Sequence, residues 1–367
     1  MNRTGWQDLF GLFPRPRIDP VLTGLLVAVM AIGLAVIYSA SDQDTGTVIR
    51  QLVRYGAGFA VLLLATQVPA NVYRSWAPWV YFIGLLLLVA VLFAGVGRGA
   101  QRWLDLGIVR FQPAEIMKLA VPMMMAAWLH ARPLPPGLFS IGGALALMAV
   151  PVLLIARQPD LGTAVLVGAG GLGVLFLAGL RKRYIFGMAV ALLAAIPAVW
   201  VNLLDYQKNR VITFLNPESD PLGQGWNIIQ SKIAVGSGGL TGKGWLAGSQ
   251  SHLEFLPEPH TDFAFSVLAE EFGFVGVVVV LGLYLAIISR ALFLAGQCRD
   301  SFSRMFCGGL VVLFFLYVAV NAGMVSGLLP VVGVPLPLIS YGGTSAVTIL
   351  AGFGIIMGLY SRRRFMT

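Results

Sequence analysis

The chain has 367 residues, of which 57% are hydrophobic and only 11% charged, and its mean hydropathy is +0.83. A soluble domain carries about a quarter charged residues, so a solvated globular surface is excluded and a polytopic helical membrane protein is implied. The net charge of +9 does not signal nucleic acid, because the basic residues sit in short loops between apolar runs, where they report topology.

The opening stretch is polar and mixed, with Pro14, Pro16 and Pro20, and the first apolar run is long enough to span a bilayer; no cleavable signal peptide is read there. Ten spans follow, each needing about 20 apolar residues. They are Val21–Ser39, Leu52–Val68, Trp79–Val96, Pro113–Trp128, Phe139–Ile155, Leu161–Leu180 and Tyr184–Leu203, then Asp262–Ser289, Met305–Leu328 and Gly343–Tyr360. The expected architecture is all-α, one transmembrane domain over residues 1–367, with one long loop, 204–261, between spans seven and eight.

Lysines and arginines set the orientation. With the N-terminus inside, fourteen fall in cytoplasmic segments against ten outside, and both triple-basic clusters, Arg181–Arg183 and Arg362–Arg364, lie inside. Both termini are then cytoplasmic and the long loop is periplasmic. Cys298 and Cys307, the only cysteines, fall near a cytoplasmic loop and are expected as free thiols, neither disulfide-bonded nor metal-binding.

Within the long loop, Gly225–Gly236 carries apolar residues at helical spacing and predicts a short amphipathic surface helix. The glycine-rich run Gly236–Gly244 lacks the Walker spacing and no strand precedes it, so it reads as a tight re-entry rather than a nucleotide site. No internal repeat is visible, which argues against a transporter of duplicated halves.

Three places carry chemistry. Glu115 and Lys118 are one helical turn apart inside an apolar run, so they share a face. Intramembrane charges face a bundle interior or a wet cavity, which makes the pair either a structural lock between helices or a cavity wall that can meet an anion. Just before them, Arg98, Gln101, Arg102, Trp103, Asp105 and Arg110 crowd a short outer loop, where three arginines can hold a phosphate or anchor to lipid headgroups. Further on, Pro335–Ser345 is held extended by prolines and opened by glycines. Asn321 and Ser326 read as interhelical hydrogen-bonding residues, and Arg157, Asp160, Lys208 and Arg210 have no evident role.

The densest polar stretch runs from His252 to Glu271, with five of the chain's sixteen acids and two of its three histidines. Pro257 and Pro259 favour an extended segment, after which Thr261 or Asp262 can cap the next helix. Asp262 is thus a cap, a reacting carboxylate, or both. Glu270 and Glu271 lie inside the membrane if the eighth span is straight from Asp262, and at its interface if the span begins near Phe272. On the outer face no soluble phosphorylated donor is at hand, so an enzyme there needs an activated substrate delivered in the membrane; a lipid-linked pyrophosphate fits, with cations on the leaving group and a carboxylate as general base.

These residues resemble the SEDS family (shape, elongation, division and sporulation), on its RodA branch, from the first span to the tenth. The marks are Glu258–Phe263 followed by Ala269–Glu271, with Arg102–Leu104, Gln112–Lys118 and Pro337–Ser345; Ala114 stands where serine is common in the family. The short N-terminal segment favours this branch over the division relative FtsW. The resemblance implies a multi-pass protein of the bacterial cytoplasmic membrane, a glycosyltransferase that polymerises lipid II into β-1,4 glycan strands at its periplasmic side. It implies Asp262, Glu115 and Lys118 as catalytic, and Arg98, Arg102, Lys118, Glu258, His260, Thr261 and Ser340 as substrate-binding. An α-linked donor giving a β product requires inversion, so one displacement suffices, releasing undecaprenyl pyrophosphate. No protein metal site is expected, though a divalent cation, Mg or Mn, is left open as an aid to the pyrophosphate. The implied partner is a class B penicillin-binding protein of the elongation machinery. A lipid II flippase and a scaffold that only recruits that partner are the competing readings.

Overall fold

The computed structural model describes residues 18–96, 102–105, 107, 110–202, 205–220, 223–249 and 259–361. Twelve helices are described there: α1 Pro20–Ala40, α2 Thr45–Gln67, α3 Ala70–Ala94, α4 Pro113–His130, α5 Leu138–Arg157 and α6 Leu161–Leu177, then α7 Lys182–Asn202, α8 Asp205–Leu215, α9 Gln224–Ser237, α10 Ala264–Gly296, α11 Ser301–Val325 and α12 Gly343–Ser361. Every one of the ten apolar runs falls on a helix. Seven (α1, α2, α3, α5, α10, α11 and α12) are long and apolar enough to cross a membrane by length and composition, so the molecule is a polytopic helical membrane protein.

The starts of the helices are set by short acidic side chains. Asp19, Asp44, Asp160 and Asp300 each accept an amide of the first turn of α1, α2, α6 and α11, satisfying donors that the helix itself leaves orphaned. The bundle closes around α11 and α12. α12 lies along α2, where Gly354 and Gly358, one helical repeat apart, meet the backbone of Leu62 and Thr66 so closely that a Cβ would collide with it. Cys298 and Cys307 are both free and buried.

Two features of the connections between helices were not legible beforehand. Between α3 and α4 the chain forms a small antiparallel hairpin, β1 Leu104–Asp105 against β2 Arg110–Phe111, extended by a bridge from Val96 to Trp103. In the long loop, α9 matches the predicted amphipathic helix, but α8 precedes it, where plain loop was expected.

α10 is not one straight rod. Gly273 has φ 63° and ψ −161°, a conformation essentially confined to glycine, and divides a nine-residue half-helix, Ala264–Phe272, from a long span, Phe274–Gly296. The glycine-rich run of the long loop fills the break. Phe274 and Val275 donate their amides to the carbonyls of Gly239 and Leu240 at 2.9 and 3.1 Å, while Lys243 and Gly244 donate to the carbonyls of Glu270 and Glu271, both at 3.0 Å. The run is therefore a backbone seat for a severed helix, and Glu270 and Glu271 belong to a buried segment before the span proper.

Candidate functional site

The helix that follows Asp262 begins two residues later. Phe263 occupies the cap position and makes no side-chain cap bond, so neither Thr261 nor Asp262 serves as the expected N-cap. Both belong to the turn 259–263 that precedes the helix, and both line a cavity of about 350 Å³.

That cavity gathers residues far apart in sequence. Thr261 and Asp262 line it with Glu115 and Lys118 from α4, Arg102 and Trp103 from beside the hairpin, Arg54 from α2, Asp160 and Thr163 from the start of α6, and Tyr341 to Ser345 from the start of α12. Glu115 and Lys118 are 4% and 3% exposed, and the Lys118 ammonium reaches Glu115 Oε1 at 2.5 Å. It also donates to the hydroxyl of Tyr317, which brings in α11, so the pair on one helix is tied to a second helix by a tyrosine. Glu115 Oε2 has no hydrogen-bond partner among the described residues.

Asp160, for which no role was evident, organises the arginine-rich side. Its carboxylate accepts Gln112 Nε2 at 2.8 Å and the Thr163 amide at 3.3 Å, and stands 3.7 Å from the Arg102 guanidinium. Arg102 donates in addition to the carbonyl of Pro159. This turn and α4 thus hold Arg102 at the cavity, where a lipid headgroup anchor would not need it. Arg54 was passed over inside the second apolar run. Its guanidinium lies 4.2 Å from the Tyr341 ring centroid, and it makes no ion pair among the described residues. A charged residue inside an apolar run was the available signal.

The remaining candidates fall into two groups. Arg98 and Glu258 lie outside the described residues. His260 and Ser340 are described but do not line the cavity. The His260 ring packs edge-on to Tyr341 at 5.7 Å, and its carbonyl accepts the Tyr341 amide at 2.8 Å, so it supports a lining residue. Ser340 is buried; its hydroxyl accepts the Leu336 amide at 2.9 Å and closes the turn of the proline-rich loop. Tyr55 and Tyr284 fasten the same loop by donating to the carbonyls of Leu338 and Pro337, at 2.8 and 2.6 Å.

Chemically, the arrangement offers a carboxylate, Asp262, in one water-accessible space with three cations, Arg54, Arg102 and Lys118. That set can deprotonate a hydroxyl and stabilise charge on a departing phosphate. No group of three His, Cys, Asp or Glu residues that could hold a metal is found among the described residues.

Known proteins share this chain's length and fold. The family model for cell cycle proteins of the FtsW/RodA/SpoVE type matches residues 20–364. The peptidoglycan glycosyltransferase MrdB of Escherichia coli K12 is 53% identical over 353 residues, 95% of each chain. A probable peptidoglycan glycosyltransferase FtsW of Trichlorobacter lovleyi is 37% identical over 354 residues, 93% of this chain and 92% of that one. Among solved structures, a chain described under the structural coordination of polymerization and crosslinking by a peptidoglycan synthase complex superposes with a TM-score of 0.82 at 38% identity, covering 95% of this chain and 99% of that one. The rod shape determining protein RodA of Thermus thermophilus gives 0.72 at 32%, over 95% and 98%.

Proposed function

The chain belongs to the FtsW/RodA/SpoVE family, and on that premise we propose that it is a peptidoglycan glycosyltransferase that polymerises lipid II into β-1,4 glycan strands for cell elongation. The observation that carries the chemistry is the shared cavity of Asp262, Arg54, Arg102 and Lys118. Asp262 takes the proton from the 4-hydroxyl of the acceptor sugar as that oxygen attacks the anomeric carbon of the donor. The anomeric C–O bond to the lipid pyrophosphate breaks in the same displacement, and the charge gathering on the leaving group is met by the three cations. One displacement converts the α-linked donor to a β product with no sugar–enzyme bond. Glu115 keeps Lys118 charged and in place. A divalent cation, if used, is held by the phosphates with one or two carboxylates rather than by a protein cage; no step above depends on it.

The reading places all ten helices across the bacterial cytoplasmic membrane, with both termini inside and the cavity open to the periplasm. In its support, α4, α6 and α12 line the cavity with residues of their N-terminal parts, and lysines and arginines are more numerous in the segments that this reading puts inside. A class B penicillin-binding protein is the partner that would crosslink the strands, in line with the synthase complex that this fold resembles.

The test is polymerisation by the purified protein with lipid II and its partner in detergent, without any bilayer. Glycan chains are expected from the wild type and none from Asp262→Asn that elutes as a folded protein. A flippase or a scaffold yields no polymer in this assay. Wild-type polymerisation by Asp262→Asn, purified free of other polymerases, would sink the assignment of the base.

A further inference from the structure

The half-helix that follows the Asp262 turn is cut from its span at Gly273, so the long span does not orient it. What holds it comes from elsewhere in the molecule. At its far end Glu270 is fully buried, and its Oε1 accepts the Lys243 ammonium at 2.6 Å and the Ser249 hydroxyl at 3.1 Å. Lys243 also donates to Ser249 at 2.8 Å, which closes a three-residue ring. Next to it, the Ser39 hydroxyl donates to Glu271 from the end of α1. The loop bearing Lys243 is itself clipped to α1, where the Trp245 indole donates to the carbonyl of Ala35 at 3.2 Å and its ring lies 5.9 Å from that of Tyr38.

Only the Glu270 side of this pair is buried, the Lys243 side chain being 30% exposed, and an ion pair of that kind is weak evidence of stability. An ion pair does, however, fix a direction that apolar contacts leave loose. Ala264 and Glu270 are roughly 9 Å apart along the axis, at 1.5 Å per residue, and Asp262 lies two residues beyond the helix start. A tilt of about 6° at that lever shifts Asp262 by about 1 Å, and a misplacement of that size costs on the order of a hundredfold in rate.

We propose that Lys243 and Glu270 are positioning residues for Asp262: their ion pair clamps the severed half-helix to the glycine-rich loop and thereby sets where the carboxylate sits in the cavity. Neither touches the cavity itself. The proposal rests on Asp262 being the base, and the Asp262→Asn control separates the two ideas: activity in that control overturns the base, whereas a dead control leaves the clamp to be judged alone.

The measurement is steady-state polymerisation in detergent by Lys243→Met, Glu270→Gln and Lys243→Arg. The first two are expected to lose at least tenfold in kcat with KM for lipid II within twofold of wild type, because the substrate's own contacts are intact. Lys243→Arg, which keeps the charge and the donors, is expected to recover most of kcat. Unchanged kcat in Lys243→Met, a rise in KM alone, or equal losses in Lys243→Met and Lys243→Arg would each overturn the proposal. Should the charge-removing variants fail to fold, Ser249→Ala removes one donor from the same oxygen; a threefold or greater fall in kcat supports the clamp, and wild-type kcat overturns it.

Discussion

The side-chain amide of Asn321, near the C-terminal end of α11, donates at 3.1 Å to the backbone carbonyl of Asp262 and at 2.7 Å to that of Val334. One buried side chain thus joins the turn bearing the carboxylate to the proline-rich loop, whose Val334 and Pro335 also line the cavity. Asn321→Leu leaves two carbonyls without their donor, at a cost of about 1–3 kcal/mol. Asn321→Asp goes further, because its carboxylate cannot donate and faces the same two oxygens. Both variants are expected to melt earlier than wild type in detergent, the aspartate variant earlier still, and both to lose polymerase activity. Wild-type melting of Asn321→Asp would show that the amide does not hold the turn.

Glu115 and Lys118 admit a structural and a chemical reading, and stability and activity pull them apart. Removing one partner strands a buried charge, which costs about 3–5 kcal/mol, while replacing both by uncharged residues of similar size is often neutral. Glu115→Gln and Lys118→Met are therefore each expected to be markedly destabilised. The double variant Glu115→Gln/Lys118→Met should regain much of the thermal midpoint and yet remain inactive, since the cation facing the leaving group is gone. Recovery of activity together with stability would reduce the pair to a packing device.

Gly273 makes a sharper case, because its backbone conformation admits no Cβ. A side chain there would strike the Gly242 amide and the Leu240 carbonyl, and the φ of 63° is unfavourable for it besides. Gly273→Ala is expected either to be lost from the membrane or to straighten α10, in which case the amides of Phe274 and Val275 turn to their own helix and the seat at Gly239 and Leu240 is vacated. Faster amide exchange across residues 239–244 in any Gly273→Ala protein that accumulates is the readout; exchange as slow as wild type would contradict the seat.

This break also shows where reading from sequence stops. The helices on the ten apolar runs were legible because those runs are long and apolar, even where Pro122, Pro151 or Pro197 lies inside one. The break in α10 was not, since the sequence allows a straight span from Asp262 or one beginning near Phe272, and nothing in Glu271-Phe272-Gly273-Phe274-Val275 itself decides between them. What severs it is a loop thirty residues upstream in the chain, supplying hydrogen bonds that no local pattern announces. Glu115 and Lys118 stood out because charge is costly in an apolar helix. Asp160 did not, because it sits in a tight turn that any aspartate suits, and Arg54 was passed over although a charge near the start of an apolar run was a signal of the same kind.

On the side opposite the cavity, Arg290 near the end of α10 grips Asp19 through two hydrogen bonds, 2.6 and 3.2 Å long. Asp19 caps α1 at the same time, accepting the Leu22 amide at 2.8 Å. Burial alone would push its carboxyl up, but the Arg290 hydrogen bond and the Leu22 amide together hold it below its ordinary value. A carboxyl with a lower pKa in the folded state stabilises the fold at pH above its unfolded value, near 3.9, and that contribution is lost as pH falls through the folded value. Asp19→Asn keeps a competent cap and removes the charge. At pH 7 it is expected to lower stability by about 1 kcal/mol, since the arginine is partly exposed and screened. The gap in melting temperature between wild type and Asp19→Asn should narrow steadily below pH 4, where the wild-type carboxyl takes up its proton. A gap that is constant from pH 7 to pH 3 would mean that Asp19 acts as a cap and that its pairing with Arg290 contributes nothing.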